Sequence, residues 1–187
     1  MFWLTQIRQT DRVHIRDLTK QIAHSVASTA QFFLKFPVEY RHIVLDQLRN
    51  MGGTRYFVTL NEEHIGIKDI GNPRLHQPID AQLRQTVYAT LGNDTELTIN
   101  ISRTDSLHVL NNQTLLSDIP HRWAQDSLMI DADALLLVIQ IRMDHDEWLY
   151  IAAPIPDALL RDDWEVLLAN QFPLLIVMSV MMIGLTF

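Results

Sequence analysis

The chain has no cysteine, which removes disulfides and thiolate metal sites from consideration but fits a reducing or an oxidising compartment equally. Glycine is scarce as well. Six residues in 187 are too few and too scattered for a phosphate-cradling loop, and no G-x-S-x-G nucleophile elbow occurs. Basic residues are outnumbered 15 to 22, and the net charge of −7 is the wrong sign for neutralising nucleic-acid phosphates. From Val166 to Phe187 there is no charged side chain at all.

As a helix, the stretch 166–187 would be roughly 33 Å long at 1.5 Å per residue, against a bilayer hydrocarbon core about 30 Å thick. Its Leu, Ile, Val and Phe residues each favour insertion by roughly 0.3–0.6 kcal/mol at the helix centre. Trp164, Asn170 and Gln171 suit the membrane interface at one end, and Pro173 sits near the start, where a lost N–H matters least. A buried core helix would normally be shorter and interrupted by charge. A transmembrane helix is therefore expected over 166–187, truncated because no flanking basic anchors follow Phe187. Met1–Leu4 is too short for a signal peptide and reads as the end of a first membrane span or the start of a cloned segment. Residues 5–165 would then form an extracytoplasmic domain. With 48% hydrophobic and 20% charged residues overall, the chain is composed like a folded protein.

Between those ends the pattern is of mixed α+β type. A long helix runs from Thr5 to about Phe36, with Ile7, Val13, Ile15, Leu18, Ile22, Val26 and Phe33 as its apolar stripe, interrupted by His14, Lys20 and the small run Ser25–Ala30. Its length suggests a coiled coil or a helix shared between subunits, and a homodimer formed through it is expected. Pro37 opens a second helix to Met51, with Tyr40, Ile43, Val44 and Leu48 on one side and Gly52-Gly53 as its stop. Thr54–Leu60 reads as a strand, and Ile65–Ile70 as a short returning strand. Pro78 starts a helix carrying Ile79, Leu83, Val87 and Leu91, and Glu96–Arg103 alternates as a strand. A strand near Leu107–Leu110 is followed by a polar turn. Ala134–Met143 is a strand buried on both faces, and Trp148–Ile155 is its hairpin partner. Asp157 caps a helix running from Ala158 into the span. Helices on one side of an antiparallel or mixed sheet follow from this order.

The segments carrying a family resemblance are IAHSVASTAQFF at 22–33, EYRHIVLDQLRNMGGTRYFVTLN at 39–61, LLLVIQIRMDHDEWLYIAAPI at 135–155 and the terminal span. Together they resemble the N-terminal input region of bacterial membrane-bound sensor histidine kinases, including the osmosensor type. The resemblance implies a PAS-like periplasmic domain bracketed by two inner-membrane helices, the second leading through a HAMP linker to a catalytic core. Neither a phosphoacceptor-histidine helix nor glycine-rich ATP boxes occur here. ATP, magnesium and the response-regulator partner would belong to sequence beyond Phe187, leaving this chain no cofactor and no catalytic residue. The same topology would serve a chemoreceptor or a diguanylate cyclase. A tail-anchored interaction protein, with 1–165 facing inward, is a third reading, since the positive-inside rule fails for long loops.

For local chemistry, Asp144, His145, Asp146 and Glu147 gather three carboxylates and an imidazole in one predicted loop, a set suited to a divalent cation or a pH response. A polar, solvated hairpin tip is the plainer explanation, since calcium needs roughly six to eight oxygen ligands. Glu62-Glu63-His64 is a second acidic turn, and Asp131 and Asp133 flank the central strand. His14 and His24 lie ten apart, not the i, i+4 spacing of paired ligands. Arg8, Arg12, Arg16 and Lys20, four apart, form a solvated helix face or meet lipid phosphates. Asn93, Asn100 and Asn112 begin three-residue matches to the glycosylation pattern.

Overall fold

A computed structural model describes residues 2–51, 56–71, 73–120, 123, 134–144 and 146–155, and their side chains except those of 2–16, 74, 75 and 144. The chain divides into two units, Met1–Ile155 and Pro156–Phe187. The expected cap at Asp157, the span over 166–187 and the interface residues Trp164, Asn170 and Gln171 lie outside the described residues. Among the described residues no helix is long and apolar enough to cross a membrane.

The first unit opens with α1 (Phe2–Leu34), unbroken because neither glycine nor proline occurs before Pro37. Among its described side chains, 17–34, the buried ones are Thr19, Ile22, Ala23, Val26, Ala27, Ala30 and Phe33, which fall on one helix face. The small run that looked like a break in the stripe thus belongs to it. Ala27 and Ala30 are fully covered, and their short side chains let α1 lie close against its neighbours.

Helix α2 (Val38–Asn50) starts after Pro37 as expected, but its inward stripe is different. Arg41, Leu45 and Arg49 are buried, whereas Tyr40 and Ile43 are 57% and 59% exposed. Hydrophobicity misassigned this face because both arginines find acceptors inside. Helix α3 (Pro73–Leu91) begins a turn earlier than expected and carries Pro78 within it, forgoing one intrahelical bond. Ile79, Leu83 and Val87 are buried, and Gly92 ends the helix at φ +106°, a left-handed conformation suited to glycine.

Four strands, β1 (Phe57–Asn61), β2 (Leu97–Arg103), β3 (Leu135–Asp144) and β4 (Glu147–Pro154), form one antiparallel sheet in the order β1-β4-β3-β2. The β3–β4 hairpin is central, and β3 is buried from Leu136 to Ile141 as its continuous apolar run implied. Register aligns Val58, Ile151, Ile139 and Ile99 across all four strands on one face. Helices α1 and α3 pack together on that side and touch the strands. On the other face Phe57, Ala152, Val138 and Tyr150 join Leu107, Val109, Leu116 and Ile119 in a second core.

That second layer comes from the β2–β3 connection. Two short 3-10 turns (Thr104–Ser106 and Leu116–Asp118) bracket an arm folded on itself by a single His108–Leu115 bridge. The expected Leu107–Leu110 strand is therefore only half of a minimal hairpin. The expected strand at Ile65–Ile70 does not form. Residues 62–71 make a strap in which the Ile70 N–H donates to the Ile101 carbonyl, 2.9 Å, at the outer edge of β2. At the β1 edge, Arg49 Nη2 donates to the Val58 carbonyl at 2.7 Å. Polar contacts of this kind blunt edges that would otherwise invite strand addition.

Tyr150 sits beneath the arm, fully buried, and its hydroxyl donates to the His108 carbonyl at 3.0 Å. Burial pushes its phenol well above the ordinary range. The native state then keeps this proton while the unfolded chain ionises near pH ~10. Stability from this group is intact below that pH and falls by about 1.4 kcal/mol per unit as pH rises above it. Tyr150→Phe is expected to cost about 1 kcal/mol at pH 8 and to flatten the alkaline decline. Denaturant unfolding at pH 8 and pH 11 checks both.

Candidate functional site

Between the strap and the arm lies an open cavity of about 370 Å³. The strap contributes Glu63, His64, Ile65 and Gly66 to one wall, and the arm contributes His108, Leu110, Asn111 and Gln113 to the other. The sequence explains both walls. Asn112 Oδ1 accepts from the Thr114 N–H at 3.2 Å, tightening the tip of the arm, and Gln113 takes φ +61° there. A side-chain-bearing residue at positive φ is uncommon, and this one is on the cavity wall. Asn111 ties the walls together: oriented to suit its neighbours, its amide accepts from the N–H groups of Glu62 and Glu63, 3.1 Å each, and donates to the Glu63 carbonyl at 3.3 Å.

The strap wall is set from below by Gln140, which is 1% exposed on β3. Its Oε1 accepts from Ile65 N–H at 2.9 Å and its Nε2 donates to the Ile65 carbonyl at 2.8 Å. This pairing fixes the amide orientation, because the reverse would set oxygen against oxygen. The same Nε2 lies 3.3 Å from His64 Nε2. That ring nitrogen must accept, which assigns the His64 proton to Nδ1. The His64 ring also stands edge-on to Trp148, centroids 5.0 Å apart. An imidazole oriented by an amide and backed by an aromatic ring is a directional hydrogen-bonding group. With His108, Asn111, Gln113 and Glu63 around it, the cavity suits a small polar molecule held by hydrogen bonds.

A second polar centre lies on the helical side. Arg41 donates through Nε to the carbonyls of Phe33 and Phe36, at 3.1 and 3.0 Å, and through Nη1 to Glu147 Oε2. The two side chains are 5% and 8% exposed. One buried ion pair thus joins the end of α1, the start of α2 and the tip of the β3–β4 hairpin. Near the other end of α2, Arg49 stacks over Trp123 with Cζ 4.3 Å from the ring centroid. Burial lowers its guanidinium to about 10, against the opposing pull of Asp46.

Of the expected acidic cluster at the hairpin tip, the side chains of Asp146 and Glu147 are described. Glu147 turns inward to Arg41 and is unavailable to a cation, and Asp146 alone is described at the exposed tip. His145 and the Asp144 side chain lie outside the described residues, as do Asp131, Asp133 and the side chains of His14, Arg8, Arg12 and Arg16. His24 and Lys20 are exposed. Asn100 is half-buried in β2, unlike a glycosylated loop asparagine. No group of three or more His, Asp or Glu among the described residues is placed to hold a metal ion. Glu63 and His64, by contrast, do reach a cavity. Sequence reasoning placed them in an acidic turn and passed over Gln140, whose only signal was a lone amide in an otherwise apolar strand.

Over 157 residues, 83% of its length, the chain is 33% identical to Sensor histidine kinase GtrS of Pseudomonas aeruginosa, which makes it a sensor-histidine-kinase-like region. It spans about a third of that relative, 33% of its length. No family model matches the chain. No solved structure matches it.

Proposed function

We propose that the chain is the stimulus-receiving input region of a two-component sensor histidine kinase, with its folded unit on the periplasmic side of a bacterial inner membrane. The observation carrying this reading is the similarity over 157 residues to one third of a sensor histidine kinase, in a chain with no ATP-binding glycine box. A sheet with helices on one face and a cavity-bearing loop layer on the other supports a PAS-like reader. In this reading 166–187 is the second membrane span, in contact with lipid, and a homodimer passes the signal to a kinase core. That core would use ATP and magnesium and phosphorylate a response regulator.

The absence of cysteine makes the topology directly testable. A single cysteine at the exposed Asp118, introduced into the full-length polypeptide, is expected to react with a membrane-impermeant maleimide once the outer membrane is opened. Labelling only after the inner membrane is lysed would place the unit inside the cell and favour a tail-anchored interaction protein.

A further inference from the structure

We propose that Asp69 is a latch through which the cavity is coupled to the helical layer, a proposal that rests on reading the cavity as the stimulus site. The strap has two anchors. At the cavity end Gln140 grips both backbone groups of Ile65. At the far end Asp69 Oδ1 accepts from the N–H groups of Ile101, 2.9 Å, and Gly71, 3.1 Å, while the Ile70 N–H pairs with the Ile101 carbonyl. Only Gly66, Ile67 and Lys68 separate the anchors, and Ile67 packs into the loop-side core, so the strap has little slack.

From the clasp the chain passes into the helices almost at once. Asp69 Oδ2 lies 3.5 Å from Nε2 of His76 in α3, and the same nitrogen lies 3.3 Å from the Ile99 carbonyl. Gly71 suits the tight clasp, since a Cβ there would sit 2.9 Å from Ile101 Cδ1 and 3.2 Å from Asp69 Oδ1. Helix α3 begins at Pro73 and packs along α1. The strap therefore runs from the cavity wall, around the β2 edge, to the opposite layer. A shift of Ile65 is passed to α3 when Asp69 holds the two amides and is absorbed in the strap when it does not.

Gly66 supplies the probe, because a Cβ added there meets nothing within 4 Å. Gly66→Phe, in the full-length polypeptide, places a ring at the cavity wall without a known ligand. Amide hydrogen exchange across residues 77–84 of α3 is expected to change by about threefold or more in this variant. In an Asp69→Ala background the same substitution should leave α3 exchange unchanged. Asp69→Asn retains the Oδ1 acceptor and should retain the coupling.

An equal α3 response with and without Asp69, or no response in either, overturns the latch. Coupling lost as fully in Asp69→Asn as in Asp69→Ala overturns the assignment to the two amide bonds. ATP-dependent phosphorylation of the same proteins separates this inference from the functional reading beneath it. Asp69-dependent exchange with unaltered phosphorylation supports the latch and removes the input role. A phosphorylation change indifferent to Asp69 overturns the latch and leaves the input role standing.

Discussion

Glu147→Gln is expected to destabilise the folded unit by about 3–5 kcal/mol, because it removes a buried carboxylate that faces the buried, charged Arg41 guanidinium. The size follows from position. At 5% and 8% side-chain exposure, solvent cannot take over the role of the lost carboxylate. Arg41 would keep its bonds to the Phe33 and Phe36 carbonyls, which satisfy geometry but not charge. Replacing both partners, Arg41→Met with Glu147→Leu, should recover much of the loss, since buried pairs gain little over apolar residues of similar volume. Urea unfolding of Arg41→Met, Glu147→Leu and the double variant forms a cycle that measures the coupling directly. A single-variant loss below about 1 kcal/mol would put the pair in solvent.

The second large effect is expected at Gln140. Gln140→Leu keeps the volume roughly constant but orphans the Ile65 N–H and carbonyl together, at about 1–3 kcal/mol for each buried group left unpaired. It also frees His64 Nε2, so the ring loses its assigned tautomer. The loss should be concentrated in the strap. Exchange of the Ile65 amide is expected to accelerate strongly, while amides of the central β3–β4 hairpin stay near wild-type protection. Gln140→Glu offers a sharper comparison. It keeps an acceptor for the Ile65 N–H but, when ionised, sets oxygen against the Ile65 carbonyl, so it should behave like the leucine variant at neutral pH.

These two sites mark where sequence reasoning stopped. Periodicity located α1, α2, β2 and the β3–β4 hairpin, because each depends on a local repeat of apolar residues. It misassigned the inner face of α2, where Arg41 and Arg49 are buried and Tyr40 is not. A buried arginine cannot be recognised without its acceptors, and Glu147 is 106 positions away in the chain. Glu147 was misread for the same reason: beside Asp144, His145 and Asp146 it looked like part of a solvated turn. The strap was taken for a strand because Ile65, Ile67 and Ile70 suit extended backbone. What keeps it out of the sheet is Gln140 pairing with Ile65 and Asp69 occupying the β2 edge, both long-range contacts. Half of the cavity was visible as Glu63-His64. The other half needed the arm at 107–116 to fold over the sheet, which no local pattern announces.

If this unit receives a signal for a kinase, as proposed, then crowding its cavity must alter the kinase's rate. In membrane vesicles carrying the full-length polypeptide, His108→Trp should crowd the cavity and change the rate of ATP-dependent phosphorylation several-fold. Ser117→Trp, on an exposed position of the same connection but away from the cavity wall, should leave that rate at the wild-type value. Equal rates in all three proteins, each folded and inserted, would contradict a receiving role for this cavity.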